Sequence, residues 1–123
     1  MQNYNSKLKV DIKKRSYIYA LTIIKLIELL PKNQTSKIIG NQLLRSATSV
    51  GANIIEAQAS PTKKDFTNFL SHSLKSANES KFWLGLLRDS GQAEKEKIDS
   101  LLNETKEISN ILGSSILTIR GKR

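Results

Sequence analysis

Pro31 and Pro61 are the only prolines among 123 residues, and each falls between long stretches whose apolar residues recur at helical spacing without β-type alternation. Proline lacks a backbone N–H and disfavours helical geometry in the residue before it, so it ends helices. The chain is thereby cut into long helical segments, which leaves an all-α fold as the natural solution.

The first segment predicts a helix from near Lys7 or Asp11 to Leu30, with Tyr17, Ala20, Leu21, Ile24 and Ile27 on its apolar face. The second predicts a helix starting after Thr35 or Ser36, either of which can cap its orphan amides. It carries Ile39, Leu43, Ala47, Val50, Ile54 and Ala57 inward and ends at the turn from Ala59 to Pro61. Gly40 and Gly51 inside it imply close helix approach or simple tolerance, since a helical glycine costs about 1 kcal/mol relative to Ala. In the third segment Thr62 is the expected cap, with Asp65 three residues on, and Phe66, Leu70, Leu74, Ala77, Leu84 and Leu87 form the buried side. Its end is expected near Asp89, with Gly91 available for the left-handed cap. The fourth has the cleanest seam: Ile98, Leu101, Thr105, Ile108, Leu112, Ser115 and Ile119 alternate steps of three and four. Short connections make consecutive helices antiparallel. The expectation is an all-α, antiparallel up-down-up-down four-helix bundle, a single domain over residues 1–123 with 1–10 and 120–123 frayed.

Composition removes most enzyme chemistry. With no cysteine and one histidine, His72, there is no thiolate zinc site, iron–sulfur cluster, cysteine nucleophile or multi-histidine metal centre, and no cofactor is expected. His72 itself reads as a packed or surface residue. Lys25 and Glu28 interrupt the best apolar run, so no stretch reaches the roughly 20 residues a membrane span needs. The polar, Lys-rich start lacks a secretory pattern, which places the protein in the cytoplasm.

The net charge of +9 is unevenly distributed. Residues 1–64 hold 11 basic and 3 acidic side chains, whereas residues 89–119 hold 3 basic and 6 acidic ones. Lys7, Lys9, Lys13, Lys14, Arg15, Lys25, Lys32 and Lys37, with Lys63 and Lys64 at the third helix start, form either a solvated face or a surface for nucleic-acid phosphates. No motif that reads bases accompanies them.

A polar stripe departs from ordinary patterning. Gln42, Arg45, Ser49, Asn53 and Glu56 recur at steps of three and four on the second helix, and Ser76, Glu79 and Trp83 do so on the third. The stripe is either solvated or a partly buried network, with Arg45 reaching Glu79 across the helix pair or across a subunit contact. Phe82 and Trp83 are adjacent, so at most one reaches the monomer core; the other is free to anchor a subunit contact. Glu56 and Glu79 form a conceivable carboxylate pair, but no nucleophile or metal partner accompanies them, and pairing with Arg45 and Lys is the better reading.

The run Asn41 to Ser49, then Gly51 to Glu56, Lys64 to Phe66, Phe69 with Leu70, Ser76 to Glu79, and Trp83 with Leu84 closely resembles the four-helix-bundle family whose founding members are encoded in intervening sequences of bacterial 23S ribosomal RNA genes. The resemblance spans about residues 16–118. The family includes relatives of the accessory variability determinant of diversity-generating retroelements, a basic, barrel-shaped homopentamer that binds nucleic acid and partners a reverse transcriptase. What it implies is a bundle, ring-like self-association into a homo-oligomer, a pentamer by that likeness, and a nucleic-acid link without catalysis. The motif positions carried onto this chain are Gln42, Arg45, Ser49, Asn53, Glu56, Phe66, Phe69, Ser76 and Glu79. Ala57 stands where the family usually has Gly, which implies a less sharply turned end to the second helix.

Three functions follow from these readings. The first is a non-enzymatic oligomer that binds RNA or DNA with little sequence preference, accessory to RNA processing or reverse transcription. The alternative is a protein-interaction scaffold whose charge serves solubility or an acidic partner. An enzyme with an unrecognised site ranks last.

Overall fold

A computed structural model describes the backbone of residues 2–121 and the side chains of residues 12–121. Its four helices are α1 (Gln2–Glu28), α2 (Gln34–Gln58), α3 (Lys63–Asp89) and α4 (Lys95–Ile119), and no strand occurs among the described residues. Each boundary has a local cause. At the end of α1 the N–H groups of Leu29 and Leu30 bond three residues back, to Leu26 and Ile27 at 3.0 and 3.1 Å, ahead of Pro31. The cap of α2 is Asn33, not Thr35 or Ser36: its Oδ1 accepts from the Ser36 N–H at 2.8 Å. Ser36 is instead buried, and its hydroxyl donates to Gln92 at 2.7 Å, tying the α1–α2 turn to the α3–α4 turn. Thr62 caps α3 as expected, accepting from Asp65 N at 3.1 Å. Helix α3 closes with Gly91 at φ 78°, its N–H bonded to Arg88 O and that of Gln92 to Leu87 O, the paired bonds of a Schellman cap.

One apolar core joins the four helices: Ile12, Tyr19 and Ile23 from α1, Leu43, Val50 and Ile54 from α2, Leu70, Leu84 and Leu87 from α3, and Ile98, Ile108 and Leu112 from α4. Every position of the expected α4 seam is buried. Helix α1 differs from its expectation twice. It begins at Gln2, ahead of Lys7 or Asp11, and it turns a different face inward. Ile12, Ser16, Tyr19, Ile23 and Leu26 are buried, while Tyr17, Leu21 and Ile24 are exposed. The helix carries apolar residues on more than one face, so periodicity alone selected the wrong stripe.

Hydroxyl groups thread this core. The Tyr19 hydroxyl lies 2.7 Å from Thr105 Oγ1, whose single proton is committed to the Leu101 carbonyl at 2.6 Å, so Tyr19 is the donor. Ser46 and Ser80 hydroxyls meet at 2.8 Å, and Ser73 donates to the Val50 carbonyl at 2.7 Å. That last bond, from a side chain to a neighbouring helix backbone, requires α2 and α3 to approach closely. Gly51 marks a second close approach, because a Cβ there would stand 3.2 Å from Ser16 Oγ of α1.

Candidate nucleic-acid interface and the α2–α3 polar seam

The polar stripe lies along the contact of α2 with α3 within one chain. Arg45 donates through Nη2 to Glu79 Oε2 and to Gln42 Oε1, the latter at 3.1 Å. The same Glu79 oxygen accepts from the Trp83 indole at 2.9 Å. Further along, Ser76 Oγ donates to Ser49 Oγ at 3.1 Å, and the Asn53 amide donates to the Ser49 carbonyl and hydroxyl at 2.9 and 3.0 Å. Gln42, Arg45, Ser49, Asn53, Ser76, Glu79 and Trp83 are therefore brought together, whereas Glu56 is exposed and joins none of these bonds. The Arg45 side chain is 60% exposed, so the ion pair contributes on the order of 1 kcal/mol or less and chiefly aligns the two helices. Trp83 is half-buried against the core, with Phe82 exposed beside it in an edge-to-face contact at 5.0 Å.

The basic residues divide between the two ends of the helices. Lys7 and Lys9 lie outside the residues whose side chains are described. Lys13 and Lys14 are exposed on α1 and line a hollow of about 550 Å³ with Tyr17, Ala52 and Ile55. Arg15 does not share that setting: it turns toward α4 and forks onto Glu104 at 2.7 and 2.9 Å, a pairing that raises its pKa. Lys63 and Lys64 open α3 and share a hollow of about 600 Å³ with Arg120 at the end of α4. Ile55 is three residues, roughly 5 Å of helix, from the end of α2 at Gln58, and α3 begins five residues later, so Lys13 and Lys14 belong to the same end. Among the described residues none of Lys13, Lys14, Lys63, Lys64 and Arg120 forms an ion pair. Arg120 was outside the predicted set, because its distance in sequence from Lys63 hides their proximity.

Charges at the opposite end are of mixed sign. Lys32 and Lys37 flank a hollow at the α1–α2 turn that also includes Glu28. At the α3–α4 turn Arg88 bonds Asp89 at 2.9 Å and Asp99 at 2.8 Å, while Lys95 bonds Asp99 at 2.6 Å. These contacts raise the Arg88 and Lys95 pKa values and hold the Asp89 and Asp99 carboxyls below their ordinary range. Among the described residues no group of three or more His, Asp or Glu is placed to hold a metal, and His72 is exposed near Phe69. No described helix is long and apolar enough to cross a membrane.

Residues 8–114 match the family described as 23S rRNA-intervening sequence protein. The chain belongs to that family. The matched span includes the whole polar seam and Lys13, Lys14, Lys63 and Lys64, but not Arg120. Among solved structures, this family member is similar to a crystal structure of a protein with unknown function from the S23 ribosomal protein family of Bacteroides thetaiotaomicron VPI-5482. The two share 38% sequence identity over 85% of this chain and 94% of the other, with a TM-score of 0.81. Comparison with curated proteins returns no match.

Proposed function

We propose that this 23S rRNA-intervening sequence family member is a non-enzymatic, self-associating four-helix bundle that binds nucleic acid through phosphate contacts, acting in the cytoplasm as an accessory to an RNA-processing or reverse-transcription system. The observation that carries the proposal is the convergence of unpaired Lys63, Lys64 and Arg120 at the end that also bears Lys13 and Lys14. Clustered cations bind phosphates by releasing condensed counterions, which needs no base-reading motif. An antiparallel α2–α3 pair supports this reading: Arg45, Ser49 and Val50 of α2 bond Glu79, Ser76 and Ser73 of α3 in reversed order, as antiparallel neighbours do.

Binding of a fluorescent RNA duplex and single strand, titrated across salt concentrations, tests the reading. Affinity is expected to fall steeply with salt, and Lys63→Gln with Lys64→Gln to flatten the log–log slope by roughly one for each phosphate that is no longer neutralised. The matched change at the opposite end, Lys32→Gln with Lys37→Gln, is expected to have the smaller effect. Equal effects from both ends would remove the basic end as the site, and no binding at low salt would remove the function.

A scaffold role is the second reading. It is favoured by the exposed Ile18, Leu21, Ile24 and Leu29, an apolar surface on α1 that self-association into the ring implied by family resemblance would cover. Light scattering at several protein concentrations distinguishes an oligomer from a monomer. A pull-down recovering one stoichiometric protein, such as a reverse transcriptase, and no nucleic acid would favour the scaffold over direct binding.

A further inference from the structure

The hollow between α1 and α2 edged by Lys13 and Lys14 differs from two others at the surface. Tyr17, 68% exposed, bounds it on α1, and Gly51, Ala52 and Ile55 bound it on α2. Lys13 and Lys14 stand at its edge, and among the described residues no carboxylate lines it. The cleft between α1 and α4 has similar volume, about 560 Å³, but there Lys25 and Lys97 are offset by Glu96 and Glu104. The hollow shared by Lys63, Lys64 and Arg120 is cationic and has no aromatic residue among its described lining. Of these three, the α1–α2 hollow combines an exposed aromatic ring, an apolar wall of small residues and uncompensated positive charge.

That combination suits one ligand chemistry. A nucleotide in a strand presents the flat π-face of its base to a tyrosine ring, and the flanking backbone phosphates supply negative charge to match the two lysines. Bases inside a duplex are stacked on one another and cannot enter a side slot, whereas an unpaired base can. Resting on the proposed nucleic-acid function, we infer that Tyr17 is a stacking platform for an unpaired base, with Lys13 and Lys14 holding the flanking phosphates, so that the protein prefers single-stranded over double-stranded nucleic acid.

The test measures anisotropy of a fluorescein-labelled oligouridylate and of an RNA duplex of the same length, at one low salt concentration, with the full chain. The unaltered protein is expected to bind the single strand more tightly. Tyr17→Ala is expected to lose roughly tenfold in single-strand affinity, as removal of one stacking partner does, with duplex affinity unchanged. Tyr17→Phe, which keeps the ring, is expected to retain the preference. Thermal melting of each variant establishes that the exposed position leaves the fold intact. Binding of both probes with no preference, or equal losses for both in Tyr17→Ala, would overturn the slot while leaving the phosphate-binding function standing. A change in oligomeric mass in Tyr17→Ala without selective loss of the single strand would reassign the slot to a contact between copies of the chain. Failure of both probes to bind would remove the function and the slot together.

Discussion

The α2–α3 and α1–α4 contacts are built on opposite principles. Between α2 and α3, small residues let the backbones approach until Ser73 reaches the Val50 carbonyl and the Ser46 and Ser80 hydroxyls meet, and the Arg45–Glu79–Trp83 group closes the outer edge. Among the described residues the side-chain bonds between α1 and α4 are a forked ion pair, Arg15–Glu104, and a buried hydroxyl contact, Tyr19–Thr105. Below them lies the open cleft edged by Ile18, Leu26, Leu29 and Leu101. Close packing of small polar residues makes α2–α3 a rigid spine, because each buried hydroxyl must find its partner at a fixed register. Helix α1, by contrast, keeps a large apolar surface that its own chain does not cover. Family membership and the proposed self-association bear on opposite sides of this comparison: the family motif lies along the spine, and the surface available to a partner lies on α1.

The sharpest way to break the comparison is to truncate one apolar residue on each side. Leu84→Ala on α3, at a fully buried position, is expected to destabilise by about 2–5 kcal/mol, whereas Leu21→Ala on exposed α1 should change the unfolding free energy of the isolated chain by about 0.5 kcal/mol or less. Denaturant titration reads both, and similar losses would mean that α1 is packed as tightly as α3. Overfilling the spine comes next. Ala77→Leu, at a buried α3 position, is expected to cost about 1–3 kcal/mol, since closely packed helices cannot move apart cheaply.

A smaller effect is expected at the hydroxyl contact on the open side. Tyr19→Phe removes a donor but leaves Thr105 bonded to the Leu101 carbonyl, so the loss should be about 1 kcal/mol. Burial, opposed by hydrogen bonding with Thr105 and Ser80, raises the Tyr19 pKa above its ordinary 10.0. The folded state therefore holds this proton where the unfolded chain releases it, and stability falls as pH rises above 10.0 toward the raised folded value. Melting measured from pH 9 upward should decline less steeply in Tyr19→Phe than in the unaltered protein. A similarly small stability effect belongs to Arg15→Ala, whose ion pair is more than one-third exposed at the arginine and should contribute roughly 0.2–1 kcal/mol, diminishing with added salt.

Asp99 gives the acid counterpart at the far end. Its carboxyl is held below the ordinary range by Lys95 and Arg88, so the stabilisation it supplies is present above the unfolded carboxylate pKa and is lost as pH falls through the lower folded value. Asp99→Asn should flatten the acid side of the stability profile.

Much of this protein was determined by its sequence alone. The prolines and the capping signal at Thr62 divide the chain, and the three-and-four spacing of α4 picks out residues that are all buried, because a helix with a single apolar stripe has one way to face a core. The polar spacing on α2 and α3 likewise placed Arg45 and Glu79 within reach of one another. Tertiary structure decided the rest. Helix α1 carries more than one apolar stripe, so which one turns inward depended on the close approach of Ser16 to Gly51 and on the partner for Tyr19 at Thr105. Asn33, directly before α2, takes the cap, and Ser36 lies inside the helix with its hydroxyl bonded to Gln92, far away in sequence. The lysines, counted by sequence as one basic half, separate into an end where Lys63 and Lys64 stand beside Arg120 and an end where Lys32 and Lys37 share a hollow with Glu28. Periodicity reports which face of a helix is apolar; only the packing of four helices brings residues 13, 63 and 120 to one end and leaves Tyr17 open to solvent.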